Sequence, residues 1–400
     1  MKRSAWFLLF VIYMAFIALG FPDALLGSSW NLVRIDLDVA LGGLGLMTLT
    51  TYVMSTLTTF NAPRLLRVLS TKVIVFFGML IIAVALIMIS LVDHYYQILF
   101  FAIPLGLGGA AIDVSLNHYL AAHYKATHMN FLHSFYGVGV TLGPTVMAVA
   151  LERGAWRLGY LWVGVILMVM AGLMLLSFPL WKEEAVDDRS DRHAPLSLKT
   201  MFKTPGARVS VAVFLTIVFL ESLGGLWMAS YMYETRGVDY VTAALFTSTF
   251  YFALTLGRFG SGFLAFKIRS EGLIVGGEVL ILLAGILLFA LNGGLIVSLI
   301  SVALYGLGCA PVFPNLMFLN SERFEPKHLS KIMSLQMAIG YMGFGILTPL
   351  AGLWFDRISL HHFPVFVVLG AGVLLVLTHQ FFQAAPAKRA LAKSFKNDVT

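Results

Sequence analysis

Asp113 and Asn117 stand four residues apart in an apolar stretch that holds no Lys or Arg, IPLGLGGAAIDVSLNHYL (Ile103 to Leu120). On a helix that spacing sets the carboxylate and the amide on one face, about one turn apart. A charged side chain at the centre of a bilayer costs at least about 2.5 kcal/mol. Asp113 therefore either ties helices together through hydrogen bonds or lines a polar path, and the path is the better explanation of an acid with an amide beside it. Asn117 can bond a substrate hydroxyl or Asp113 itself. Two more acids lie in apolar segments: Asp23 in the first, where a helix-end charge near the surface is the alternative, and Glu221 midway along the seventh. Candidate substrate contacts accompany them. Trp227 follows Glu221 and could stack on a sugar or a flat apolar molecule. Asn315 sits beside Pro311 and Pro314, where missing amide hydrogens can open a helix turn. His133 near the start of the fifth segment could relay protons or sit at the membrane surface. Gln336 is one of the few amides in an apolar run.

These residues must be positioned by membrane helices. Of 400 residues, 59% are hydrophobic and 12% charged, half the charge of an ordinary soluble domain at about 25%. Most of the surface must face lipid. A span needs about 20 mostly apolar residues. Twelve segments qualify, near 5–28, 40–62, 72–92, 96–122, 130–151, 157–181, 208–233, 239–265, 271–291, 294–319, 330–354 and 361–382. The first starts with Lys2 and Arg3 but is too long for a signal peptide and has no small-residue cleavage site, so it reads as a retained span. With the N-terminus inside, 21 of the 27 Lys and Arg residues fall on the inner side. The positive-inside rule then puts both termini in the cytoplasm. The excess of basic residues is a topology signal, not a nucleic-acid surface. Arg258, near the inner end of the eighth span, is expected to snorkel to that side, with a pair to a carboxylate across the domain interface as the second reading.

The longest polar stretch, Lys182 to Gly206, splits the spans six and six. The domains are read as a first bundle 1–181, a linker 182–206 with a short amphipathic piece around Leu196 to Phe202, a second bundle 207–383 and a tail 384–400. The halves echo each other. Gly106-Leu107-Gly108 matches Gly306-Leu307-Gly308. Asp23, Gly27 and Trp30 match Glu221, Gly225 and Trp227. Gly137-x-Gly139 with Pro144 matches Gly343-x-Gly345 with Pro349. Two six-helix bundles related by an axis along the membrane normal, with substrate held between them, follow.

With six plus six spans and a central polar loop, the chain resembles the major facilitator superfamily. Three blocks, GFPDALLGSSW (Gly20 to Trp30), GLGGAAIDVSLNHYLAAHY (Gly106 to Tyr124) and MNFLHSFYGVGVTLGP (Met129 to Pro144), resemble its fucose-permease-like branch. The loop Asn61 to Lys72, NAPRLLRVLSTK, keeps the bases of the superfamily's Gly-x-x-x-Asp-Arg pattern and lacks its acid. The resemblance implies an all-α transporter that is no enzyme and needs no cofactor beyond a proton gradient. It implies a monomer in the lipid bilayer that takes a small polar solute, a sugar by analogy, together with protons. It makes Asp23 and Asp113 the proton-coupling carboxylates, with Glu221 as the acid of the second half; the branch's symporters carry Glu at the place of Asp113. Low dielectric disfavours the charged carboxylate, so a change in exposure can load or release a proton.

No nucleotide-binding loop, Cys/His cluster or nucleophile elbow occurs in the sequence, and the glycine-rich runs at Gly43 and Gly106 follow no strand. The alternative on the same fold is a proton-driven multidrug antiporter. The scarcity of amides in the spans favours it, while several hydrogen-bonding side chains would favour a sugar carrier.

Overall fold

The computed structural model describes residues 3–124, 126–181, 204–290 and 294–385. Twelve long helices lie among them: α1 Arg3–Asp36, α2 Gly43–Val68, α3 Thr71–Ile89, α4 Tyr95–His123, α5 Ala126–Leu151, α6 Trp156–Leu176, α7 Ala207–Arg236, α8 Tyr240–Leu264, α9 Ser270–Ala290, α10 Leu295–Arg323, α11 Pro326–Arg357 and α12 Phe363–Ala384. The described residues contain no strand. Several helices run past the expected spans, most of all α1 and α11, because their polar ends continue the hydrogen-bond ladder beyond the apolar stretch.

Eleven of the twelve are long and apolar enough to cross a membrane. The exception is α2, which carries six threonines and two arginines. Its threonine hydroxyls donate to carbonyls one turn back, from Thr48 to Leu44 at 2.9 Å through Thr59 to Ser55 at 2.9 Å. That back-bonding lets a polar helix sit in apolar surroundings without orphaned donors. Around the outside, Phe100, Phe263, Phe289 and Leu369 are more than 60% exposed, as a lipid-facing surface requires.

Packing divides the helices into α1–α6 and α7–α12, and the contacts repeat between the halves. α2 packs on α4 and α3 on α4 and α6, as α8 packs on α10 and α9 on α10 and α12. The Gly-Leu-Gly repeat is the device. Gly106 meets the Thr51 carbonyl of α2, and Gly306 meets the Phe250 carbonyl of α8. A Cβ on Gly108 would lie 2.7 Å from the Gly78 carbonyl of α3, and one on Gly308 would lie 2.7 Å from the Gly277 carbonyl of α9. Only glycine allows both approaches at once.

Between the bundles, α1 lies on α7, α2 on α11 and α5 on α8, while α3, α6, α9 and α12 stay at the periphery. The even helix count puts both chain ends on one face, called here the terminal face; the other is the distal face. The distal half is closed. Arg34 of α1 pairs with Glu234 of α7. Thr145 of α5 and Ser248 of α8 share a hydrogen bond at 2.8 Å. A Cβ on Gly27 of α1 would sit 2.6 Å from the Gly225 carbonyl of α7. Gly27→Leu is therefore expected to force α1 and α7 apart and hold the distal face open without unfolding either bundle. In the Cys309→Ser background, a cysteine placed at Asn31, which is 2% exposed, should react with maleimide many times faster once Gly27 is replaced. Unchanged labelling would show that this crossing does not hold the face shut.

Candidate functional site

Two carboxylates of the first bundle, Asp23 and Asp113, lie within electrostatic reach of each other. Pro22 interrupts α1, since it cannot donate to the Ala18 carbonyl one turn back, and Asp23 follows immediately. The Tyr136 hydroxyl of α5 donates to Asp23 Oδ2 at 2.7 Å. On α4, Asn117 Nδ2 donates to Asp113 Oδ1 and to the Asp113 carbonyl, both at 2.8 Å. Of the two roles open to Asn117, the structure shows the bond to Asp113. The other carboxylate oxygen reaches across the cleft: Tyr341 of α11 donates to Asp113 Oδ2 at 3.0 Å. One acid of the first bundle is thus tied to the second bundle.

Two more tyrosines close the ring. Tyr52 of α2 stacks on Phe344 of α11 with centroids 4.3 Å apart, and lies within electrostatic reach of Asp23 and of Tyr251 of α8. The Tyr251 hydroxyl presses on α7 at Gly225. The four tyrosines come from α2, α5, α8 and α11, four of the helices that face the other bundle. Sequence reasoning missed all four. The available signal was position: Tyr136 directly precedes Gly137, and Tyr341 stands two before Gly343, at the start of a matched glycine pair in each half. A cavity of about 50 Å³ opens beside Asp23, lined among others by Met47, Tyr52, Tyr160, Leu226 and Phe344.

Other expectations are corrected. Arg258 does not snorkel; its Nη2 donates to both Glu221 oxygens at 2.9 and 3.0 Å. Glu221 on α7 and Arg258 on α8 form a pair inside the second bundle, with 20% and 17% of their side chains exposed. Trp227 is fully buried. It lies under Gly352 and edge-on to Phe355 of α11 at 5.4 Å, packed within the second bundle. Asn315 turns back on its own helix, donating to the Pro311 carbonyl at 2.8 Å, which covers the turn the prolines were expected to expose. Gln336 is fully buried. It accepts from Asn320 at 2.8 Å and donates to Ser210 Oγ at 2.6 Å, so α7, α10 and α11 consume the amide. The side chain of His133, the segment 182–203 with its amphipathic piece, and the tail from 386 lie outside the described residues. Glu278 is buried between α9 and α12, where Thr378 donates to it, and takes no part in the cleft. The described residues contain no group of His, Cys, Asp and Glu that could hold a metal.

The model of the Major Facilitator Superfamily matches residues 5–346. The chain belongs to the major facilitator superfamily. It is accordingly a multi-pass membrane transporter of small molecules and not an enzyme. Solved structures show the same fold. The bacterial homolog to human lysosomal transporter Spinster, inward-facing and occupied, aligns at TM-score 0.74 and 13% identity, covering 96% of this chain and 97% of that one. The nucleoside transporter NupG aligns at TM-score 0.73 and 13% identity, covering 93% and 99%. Among curated proteins, the "Nitrite extrusion protein" of Bacillus subtilis is 23% identical over 307 residues, 75% of this transporter and 76% of that protein. "Bypass of stop codon protein 6" of Saccharomyces cerevisiae is 23% identical over 325 residues. This transporter covers 72% of its own length in that match but spans only 64% of the yeast protein.

Proposed function

We propose that this transporter moves a small solute by alternating access of its two bundles, and that Asp113 couples the movement to protons. The observation that carries the reading is the bond from Tyr341 of one bundle to Asp113 of the other. A hydrogen bond to a charged carboxylate is roughly twice as strong as one between neutral groups. Protonation of Asp113 therefore weakens the tie between α4 and α11 by about 1 kcal/mol, enough to shift a balanced two-state equilibrium about fivefold. Asp23, held by Tyr136, is a second proton site in this scheme. Glu221 is matched by Arg258 and serves to fix α7 against α8. The terminal face is read as cytoplasmic on the distribution of Lys and Arg, and the membrane as a bacterial inner membrane on the resemblance to the fucose-permease-like branch. One chain supplies both walls of the cleft, so a monomer suffices.

Two solute classes suit this fold, a polar imported solute such as a sugar and a lipophilic exported compound. One observation favours the second: Asn315 and Gln336 are engaged elsewhere, and Asn117 is bound to Asp113, leaving few free amides for sugar hydroxyls. An anion such as the name of the Bacillus relative suggests fits poorly with two carboxylates and an arginine already matched by Glu221. Uptake of labelled sugars and efflux of cationic dyes, each with and without a protonophore, test the reading in cells overproducing the protein. One of the two fluxes should rise above the background strain and collapse with protonophore. A flux that persists unchanged with protonophore would contradict proton coupling.

A further inference from the structure

We infer that the cavity beside Asp23 binds the ammonium group of a small organic amine, an assignment that rests on the cleft being a solute site. Asp23 contributes a carboxylate that no Lys or Arg among the described residues matches: its charge is met by the Tyr136 hydroxyl and opposed by Asp113. Among the described residues, the centre of the second bundle offers no spare cation to neutralise it, because Arg258 is spent on both oxygens of Glu221. An acid left in apolar surroundings calls for a cationic partner.

The walls suit that partner. Tyr52, Tyr160 and Phe344 supply ring faces, and Met47 a polarizable thioether. Aromatic faces attract ammonium groups through their quadrupole, most strongly where water is excluded. Tyr160 is held by Ser29 at 3.1 Å and Tyr52 by its stack on Phe344, so the rings are fixed before a ligand arrives. Pro22 also lines the cavity, at the turn where the Ala18 carbonyl lacks its usual donor. At about 50 Å³ the space holds a few waters or one ammonium head. The remainder of the solute would extend toward the cleft past Leu226 of α7 and Phe344 of α11, the two cavity side chains that belong to the second bundle. A bound amine would touch both bundles while neutralising Asp23.

Thermal unfolding of the purified protein in detergent tests this with three probes of one shape: benzylammonium, benzyl alcohol and benzoate. Benzylammonium alone should raise Tm. Asp23→Asn should weaken its apparent affinity about 30-fold or more, while Glu278→Gln, in a buried acid away from the cleft, should leave it unchanged. An equal rise with benzyl alcohol, a rise with benzoate, no rise with benzylammonium, or a rise that survives Asp23→Asn would overturn the assignment. If Asp23→Asn fails to fold, the ranking of the three probes on the natural protein decides alone. No gradient enters this measurement. Its failure leaves coupling at Asp113 standing, and a coupling failure at Asp113 leaves this site standing.

Discussion

Asp113→Asn is expected to abolish accumulation of solute driven by a pH gradient, while the protein still inserts, folds and equilibrates solute down its own gradient. The amide has nearly the shape of the acid. Its oxygen can accept from Tyr341, and the α4 turn to Asn117 needs only the backbone carbonyl of residue 113 to keep one of its two bonds. What the amide lacks is a second protonation state. The tie between α4 and α11 then has one strength at every pH, and the balance between the two access states no longer responds to protons. Uptake in vesicles with an imposed pH step should end at the outside concentration instead of above it, and exchange of labelled for unlabelled solute should persist. Tyr341→Phe makes the complementary case. It deletes the cross-cleft bond without altering the acid, so transport should continue with a weaker dependence on pH.

Arg258→Gln is expected to be among the most damaging single changes outside the cleft, costing about 3 kcal/mol of stability. Glu221 would be left with its charge and without the two bonds at 2.9 and 3.0 Å that now satisfy it. Both side chains are at most one-fifth exposed, so water cannot take over the role. Glu221→Gln alone should cost a similar amount by stranding Arg258. The double replacement should recover most of the loss, since two neutral amides can bond each other. The ordering is read from Tm of the four proteins in detergent. A double variant as unstable as the sum of the singles would show that the two residues act independently and that the pair is not what joins α7 to α8.

Much of the architecture was legible because a bilayer leaves few choices. Long apolar runs must be helices, and the repeated Gly-Leu-Gly marked the same packing device in both halves. α2 was counted as a span despite its threonines, and their back-bonding to the helix carbonyls explains why it can be one. The site was legible only where chemistry is local. Spacing alone sets Asp113 and Asn117 on one face, one turn apart, with a bond between them as one of two readings. Partners brought together across helices were not visible: Tyr341 lies 228 residues from Asp113, and Tyr136 lies 113 from Asp23. Polar residues in apolar runs were assigned to substrate when their needs were met by neighbouring helices. Gln336 bonds Ser210 and Asn320, Asn315 bonds its own helix, and Trp227 fills the space over Gly352. In a membrane a buried amide is costly unless satisfied, and the sequence alone does not say which neighbour satisfies it.

Proton movement driven by solute in proteoliposomes tests coupling at Asp113 most directly. With a pH-sensitive dye trapped inside and no imposed gradient, adding transported solute to one side should change the internal pH for the natural protein. The Asp113→Asn protein should carry solute with no pH change. A pH change of the same size from both proteins would contradict the account.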